Sequence, residues 1–228
     1  MNDIVLYAKD GENEEMRYAI RTWCENLTFR HLYAVGGPYP QWFKPDKVIH
    51  NPVHLSMMKQ CHESLVKALS DDSLTDDVVI MMDDIFIIGR VGVWAKNYNR
   101  GTLVEQVQRS NKETEYNRLV LHTDQYLKRH GISSPLSFEE HAPFVCNRRQ
   151  LLKVLKDIEW DCGKLLWRSI YGNLYGGETT FRSDIKYHNR NDRMTNVDKI
   201  ISTNEQSWRG GIGATIQDWY PVRSKYEK

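Results

Sequence analysis

Cysteine is scarce, and what there is lacks pattern. The four cysteines (Cys24, Cys61, Cys146 and Cys162) form no Cys-x-x-Cys pair and no zinc-like spacing, which excludes a disulfide scaffold or a zinc ribbon and reads as reduced thiols. An excess of either charge is also missing: 31 Lys and Arg balance 30 Asp and Glu, a net charge of +1. The chain therefore carries no global footprint for nucleic acid or membrane, and only a local patch stays open. No apolar run approaches the ~18 residues of a membrane span. The amino terminus has no signal-peptide pattern, so the expectation is a protein made and used in a cytoplasm, with no membrane partner. There is no Gly-x-Ser-x-Gly elbow and no Walker loop. Internal repeats, low-complexity segments and linkers are absent too. Composition is otherwise ordinary, and 228 residues suit one domain around one core.

The most informative stretch is Asp77 to Ile88. Val78-Val79-Ile80-Met81-Met82 is a short apolar run rich in β-branched residues, the mark of a strand buried on both faces. Asp83 and Asp84 follow at its carboxyl end, where open α/β sheets place their ligands. Two adjacent carboxylates repel unless a cation neutralises them, and a hard divalent ion bridging to a phosphate does so with one or two carboxylates. On spacing alone, a solvated strand end or a helix cap accounts for the pair equally well.

The flanking segments supply the rest of an α/β pattern. Ile4 to Ala8 reads as a first strand. Met16, Ala19, Ile20, Trp23 and Leu27 then fall at helical spacing behind Glu12, Glu14 and Glu15, acids suited to the positive end of a helix. His31 to Val35 reads as a second strand closed by Gly36-Gly37-Pro38, Val48-Ile49 as a short third, and Leu55 to Leu69 as a helix leading into the central strand. Alternating strands and helices predict a mostly parallel sheet with helices on both sides. Beyond Ile88 the pattern loosens. Gly89 to Gly101 reads as a loop or hairpin and Thr102 to Arg109 as a short helix. Helices follow over Thr114 to Arg129, with Tyr116, Leu119, Val120, Thr123 and Leu127 on one stripe, and around Leu151 to Ile158 and Leu165 to Leu174. Pro143 keeps Glu139, Glu140 and His141 off a helix. Arg182 to Arg193 reads as a polar loop and Ile200-Ile201 as a last strand.

Weaker signals resolve toward plain readings. His50 and His54 are four apart, but Pro52 breaks the helix that a zinc-binding pair needs. Trp94, Tyr98 and Arg100, with Arg182, Lys186, Tyr187, His188, Arg190 and Arg193, mix aromatic and basic residues as a nucleic-acid groove does. Asp184 and Asp192 dilute that charge and favour a solvated loop surface. Gly210-Gly211-Ile212-Gly213 does not follow a strand in the dinucleotide-binding manner, which argues against a nicotinamide cofactor.

Several short motifs, in this order, resemble the Stealth family of sugar-phosphate transferases. They are Asn13 to Arg21, Leu32 to Val35 with Pro40-Gln41-Trp42, Met82-Asp83-Asp84-Ile85-Phe86, and Glu140-His141-Ala142-Pro143-Phe144. The chain is similar along nearly its full length to small bacteriophage-encoded sugar transferases that end in Ser-Thr-x-(Asp or Glu)-x-Ser-(Phe or Trp) and Pro-x-x-Ser-x-Tyr-Glu. Here those segments are Ser202 to Trp208 and Pro221 to Glu227. The resemblance implies a GT-A-like, nucleotide-diphospho-sugar transferase fold in a single domain, with residues 1–90 as the nucleotide-sugar-binding half and 91–228 as the acceptor-binding half. It implies Mn²⁺ or Mg²⁺ held by an Asp-x-Asp-like motif. Met82 stands where the first Asp of that motif belongs, so the metal ligands expected are Asp84 first, then Asp83 and His141.

The same resemblance makes His141, Glu140 and Glu139 candidates for the catalytic base. It assigns Lys9, Asp10, Asn13, Arg17, Asp83, Ser202, Thr203 and Trp208 to the donor. Arg17 reads equally as a partner for Glu14 one turn away. The implied activity is transfer of a sugar from a nucleotide sugar to a hydroxyl acceptor, the leading acceptor being a hydroxymethylated pyrimidine in phage DNA, within the host cytoplasm. The alternatives are a sugar-1-phosphate transferase acting on a glycan and a nucleotide-sugar-binding protein without turnover.

Overall fold

Alternating burial along three strands sorts the core into two layers. In β1 (Asp3–Tyr7), β2 (Leu32–Val35) and β4 (Asp77–Met82), Ile4, Leu6, Leu32, Ala34, Val79 and Met81 face one side, while Val5, Tyr33, Val35, Val78 and Ile80 face the other. Successive side chains on a strand point to opposite faces, so strands with continuous apolar runs need cover on both. With β3 (Lys47–Ile49) and β7 (Phe144–Asn147) they form a five-stranded sheet in the order β3-β2-β1-β4-β7. The first four strands are parallel, with Ile4 beside both Leu32 and Val79; β7 runs antiparallel to β4 at the edge. The computed structural model describes residues 1–8, 11–50, 57–110, 113–158, 163–176, 180–181, 185–194 and 199–228.

The first layer is closed by α1 (Glu14–Asn26), which buries Met16, Ala19, Ile20 and Trp23. Asn13 caps that helix by accepting the Met16 amide at 2.9 Å, and Glu14 and Glu15 sit in the first turn, where the helix dipole favours negative charge. Beneath α1 lies a two-stranded antiparallel ribbon of β5 (Ile85–Ile87) and β9 (Ile200–Ser202). Two helices follow that ribbon, α7 (Glu205–Trp208) and α8 (Gly211–Trp219). The second layer is built by α2 (Met57–Leu69), α4 (Glu115–Arg129), α5 (Arg148–Asp157) and α6 (Trp167–Tyr175), with α3 (Leu103–Ser110) beside α4. A short parallel pair, β6 (Tyr98–Asn99) and β8 (Thr180–Phe181), completes the described elements.

The mostly parallel sheet with helices on both faces is the architecture expected from the sequence, with four differences of detail. Ile200-Ile201 does form a strand, but it pairs with β5 outside the main sheet. The antiparallel edge strand β7 begins directly after Pro143 and is too short for a periodicity to declare it. The buried stripe of α4 includes Asn117 and Asp124, while Tyr116 is 43% exposed. Lys128 pairs with Asp124 at 2.8 Å, which accounts for a carboxylate on that face. Finally, the glycine run at 210–213 enters a helix that the pattern did not declare: Gly211 opens α8, and a Cβ on Gly213 would collide with the Trp208 carbonyl, so its glycine serves close packing of α8 on α7.

The terminal motif Pro221 to Glu227 has a structural explanation. Glu227 accepts two bonds from the Arg21 guanidinium, at 2.9 and 2.8 Å, and one from the Ser224 amide at 2.8 Å. Tyr226 is buried and donates to Asp46 at 3.0 Å. Backbone bonds from Lys44 to Tyr226 and from Lys228 to Trp42 finish the join. The last turn of chain thus ties the segment after β2 to α1.

Candidate active site

β4 ends at Met82, and Asp83 and Asp84 make the tight turn into β5. Asp83 is 6% exposed and accepts a bond from Asn13 Nδ2 at 2.5 Å. One side chain therefore both caps α1 and orients Asp83. Asp84 Oδ2 accepts from Lys186 Nζ at 2.8 Å, with both side chains largely buried (14% and 16% exposed). Its other oxygen, Oδ1, is buried and has no partner among the described residues. A buried polar atom of this kind calls for a partner, whether water, an ion or a ligand.

The far end of the chain is brought onto this turn by β9. Ser202 pairs with Ile85, and the Thr203 amide donates to the Asp84 carbonyl at 3.2 Å. The Thr203 hydroxyl bonds to Glu15, and Ser202 Oγ is buried without a partner among the described residues. Trp208 stacks on Phe86 at 5.6 Å and lies 5.8 Å from Tyr18, so it packs against the core.

A cavity of about 280 Å³ opens beside Met82 and Tyr7, the carboxyl ends of β4 and β1. Its walls include Leu65, Ile80, Tyr116, Leu166 and Trp167, and its polar groups come from Glu139, Glu140, His141 and Arg168. Glu139 Oε1 accepts from the Ser169 amide at 3.1 Å and the Ser169 hydroxyl at 2.8 Å. Burial raises the Glu139 carboxyl above the ordinary carboxylate range, against the pull of Arg168 and His141. Arg168 is 6% exposed and donates from Nη1 to the Glu140 carbonyl, but Nη2 is buried with no partner among the described residues. Burial lowers its pKa, while Glu139 and, less strongly, Asp84 act to raise it. The cavity and the acidic turn are thus electrostatic neighbours.

The structure gathers Asn13, Asp83, Asp84, Ser202 and Thr203 at one turn, and Glu139 and His141 at the adjoining cavity. Glu140 fits poorly as a free base: its side chain is 2% exposed and pairs with Arg100 Nε at 3.1 Å. Arg17 pairs with Glu14 at 2.9 Å and lies 4.6 Å from the centre of the Trp42 ring, the plainer of its two expected roles. Lys9, Asp10, His54, Cys162, Arg182 and Asp184 lie outside the described residues. Cys24, Cys61 and Cys146 are free thiols, as expected. Of the loop read as a basic surface, Lys186 is committed to Asp84 and Trp94 is buried.

Two residues of this region were missed from the sequence. Lys186 was read only as part of a basic and aromatic loop surface, and nothing in that pattern pointed to Asp84. Arg168 did give a signal, a cation within the apolar run Leu165 to Ile170.

Among the described residues no three of His, Cys, Asp and Glu converge as a metal-binding set. Asp83, Asp84 and His141 therefore do not form a common cage. Asp84 Oδ1, a hard oxygen without a partner among the described residues, is the type of donor a hard divalent ion takes, while Oδ2 is held by Lys186.

The architecture is a mixed α/β fold with a mostly parallel sheet and an acidic turn at its carboxyl edge. No family model matches the chain, and no curated protein sequence does. Among solved structures it is similar to the glycosyltransferase GlyE of Streptococcus pneumoniae TIGR4 in two crystal structures, one described as the apo form. Both align at 12% identity and a TM-score of 0.41, over 79% and 80% of this chain and 45% of the other. The chain spans less than half the length of that protein. A likeness at that level assigns neither fold family nor activity. No helix among the described residues is long and apolar enough to cross a membrane.

Proposed function

We propose that the protein is a metal-dependent glycosyltransferase of GT-A-like fold that moves a sugar from a nucleotide sugar to a hydroxyl acceptor. The observation that carries this reading is Asp84 Oδ1, a buried carboxylate oxygen without a partner at the carboxyl edge of a parallel sheet. Asp84, with Asp83 oriented by Asn13, would hold Mn²⁺ or Mg²⁺. When bound, such an ion supplies Lewis-acid stabilisation of the charge that develops on a departing nucleoside diphosphate.

The chain's own groups divide the remaining work. Lys186 neutralises Asp84 and holds it in one rotamer. Thr203 fixes the turn through its amide. His141 faces the cavity and takes the acceptor hydroxyl's proton as neutral imidazole. Glu139 lies close enough to His141 to feel its charge, and an anionic neighbour stabilises the imidazolium that results.

The acceptor proposed is a hydroxymethylated pyrimidine in DNA, and the site of action a cytoplasm. The test is to incubate the protein and Mn²⁺ with a panel of nucleotide sugars and with modified or unmodified DNA, then digest the DNA and weigh its nucleosides. A gain of one hexose or pentose on a modified base is expected. Labelled β-phosphate in the product would move the reading to sugar-1-phosphate transfer. Absence of donor cleavage with every nucleotide sugar would leave only a binding protein.

A further inference from the structure

Arg168 stands out among the buried cations because it forms no ion pair with any described residue. Arg21 and Arg148 are buried to a similar degree, yet both have carboxylate partners, Glu227 at 2.8 Å and Asp72 at 3.3 Å. Arg168 is instead placed with its guanidinium 5.5 Å from the centres of the Phe144 and Trp167 rings. One of its nitrogens, Nη2, is buried without a partner among the described residues, and the residue lines the cavity. Facing the same cavity is Glu139, whose Oε1 takes two bonds from Ser169. A buried charge left without a partner is costly, and a fold that keeps one gains from it only when a ligand completes the set.

We infer that this cavity binds an uncharged, flat heterocycle of pyrimidine type, held along its hydrogen-bonding edge by Arg168 and Glu139. Three features narrow the ligand to that class. The guanidinium and the carboxylate cancel, so the cavity asks for no net charge and disfavours a bare phosphate. The donor of Arg168 and the acceptor of Glu139 call for a ring edge that carries an acceptor near a donor, as the carbonyl and N–H of uracil or the carbonyl and amino group of cytosine do. Beside Glu140 and His141, the remaining wall is mainly apolar or aromatic, with Leu65, Met82, Leu166 and Trp167. It suits the faces of a ring and not the hydroxyls of a hexose. At about 280 Å³ the space takes one ring and not a whole nucleotide.

Both a nucleotide donor and a modified-base acceptor carry such a ring. The binding site itself stands without the transferase reading, and only the choice between these sources rests on it.

The test titrates the full chain with uridine, cytidine, glucose and inorganic phosphate, read by tryptophan fluorescence and saturation-transfer NMR. Uridine or cytidine binds and the other two do not. Arg168→Met and Glu139→Gln each weaken nucleoside binding at least tenfold. Arg168→Met melts at or above the wild-type temperature without ligand, because it removes an unpaired buried charge. A merely structural arginine would lower the melting temperature and leave nucleoside affinity alone. Glu139→Gln keeps the Ser169 bonds available and serves as the second variant if Arg168→Met fails to fold.

Displacement of uridine by UDP-glucose assigns the ring to the donor, and simultaneous binding assigns it to the acceptor. Donor hydrolysis, measured separately on Asp84→Asn, reports on the transferase reading alone. Binding of glucose or phosphate with no nucleoside bound overturns the inference, as do variants that bind nucleoside like wild type.

Discussion

The two ends of the same sheet treat buried charge in opposite ways. At the amino edge, Asp3 is fully buried and completely bonded. Oδ1 accepts from Arg30 Nε at 2.9 Å and the His31 amide at 3.2 Å, and Oδ2 from Arg30 Nη2 at 2.6 Å and the Thr75 amide at 2.8 Å. At the carboxyl edge, Asp84 Oδ1, Ser202 Oγ and Arg168 Nη2 are buried without partners among the described residues. Strands alone do not require the difference, since β1 and β4 contribute to both edges. A fully bonded buried charge acts as a clamp, whereas an incompletely bonded one marks a site that a ligand completes.

Substitutions at the two edges should therefore behave differently. Asp3→Ala strips partners from two backbone amides and a guanidinium, and should cost about 3 kcal/mol in urea denaturation. Asp84→Asn should lower donor hydrolysis by about 100-fold, because the lost anion would have faced the cation. Its thermal midpoint should fall less than that of Asp3→Ala, since Asn still offers Lys186 an acceptor oxygen. If the amino-edge variant were the inactive one and the carboxyl-edge variant the unstable one, the contrast would be reversed.

The smallest effect concerns acid. Burial pushes the Asp3 carboxyl up, but Arg30 and the Thr75 amide together outweigh it and hold the group below its ordinary value of 3.8. Its folded pKa lies below the unfolded one, so its stabilisation is present above the unfolded value and is lost as pH falls through the folded one. Unfolding free energy should drop on acidification below about pH 4 in the wild type, and Asp3→Asn should flatten that slope.

Much of the fold was legible because the strands of the first ninety residues are largely continuous apolar runs and are punctuated by Gly36-Gly37-Pro38 and by Asp83-Asp84. Partners were less legible. Nothing in Ile200-Ile201 says that it pairs with β5, and nothing in Lys186 says that it reaches Asp84 across 102 positions of sequence. The acidic turn was readable from its place after a buried strand, and the cavity only in part. Glu139 and His141 stood out beside Pro143, while the cation facing them arrived on a helix whose stripe looked like ordinary core. Arg17 shows a different ambiguity: a spacing that suits phosphate binding suits a bond to Glu14 equally well, and in this structure Arg17 makes the second.

The central claim is that Asp84 holds a divalent cation against a diphosphate. Its most direct test is Mn²⁺ binding followed by electron paramagnetic resonance, with and without a nucleoside diphosphate, for wild type and Asp84→Asn at matched folding. The account predicts that the wild type binds Mn²⁺ more tightly when the diphosphate is present and that the variant loses at least tenfold in affinity. Equal Mn²⁺ affinity in the two proteins would contradict it.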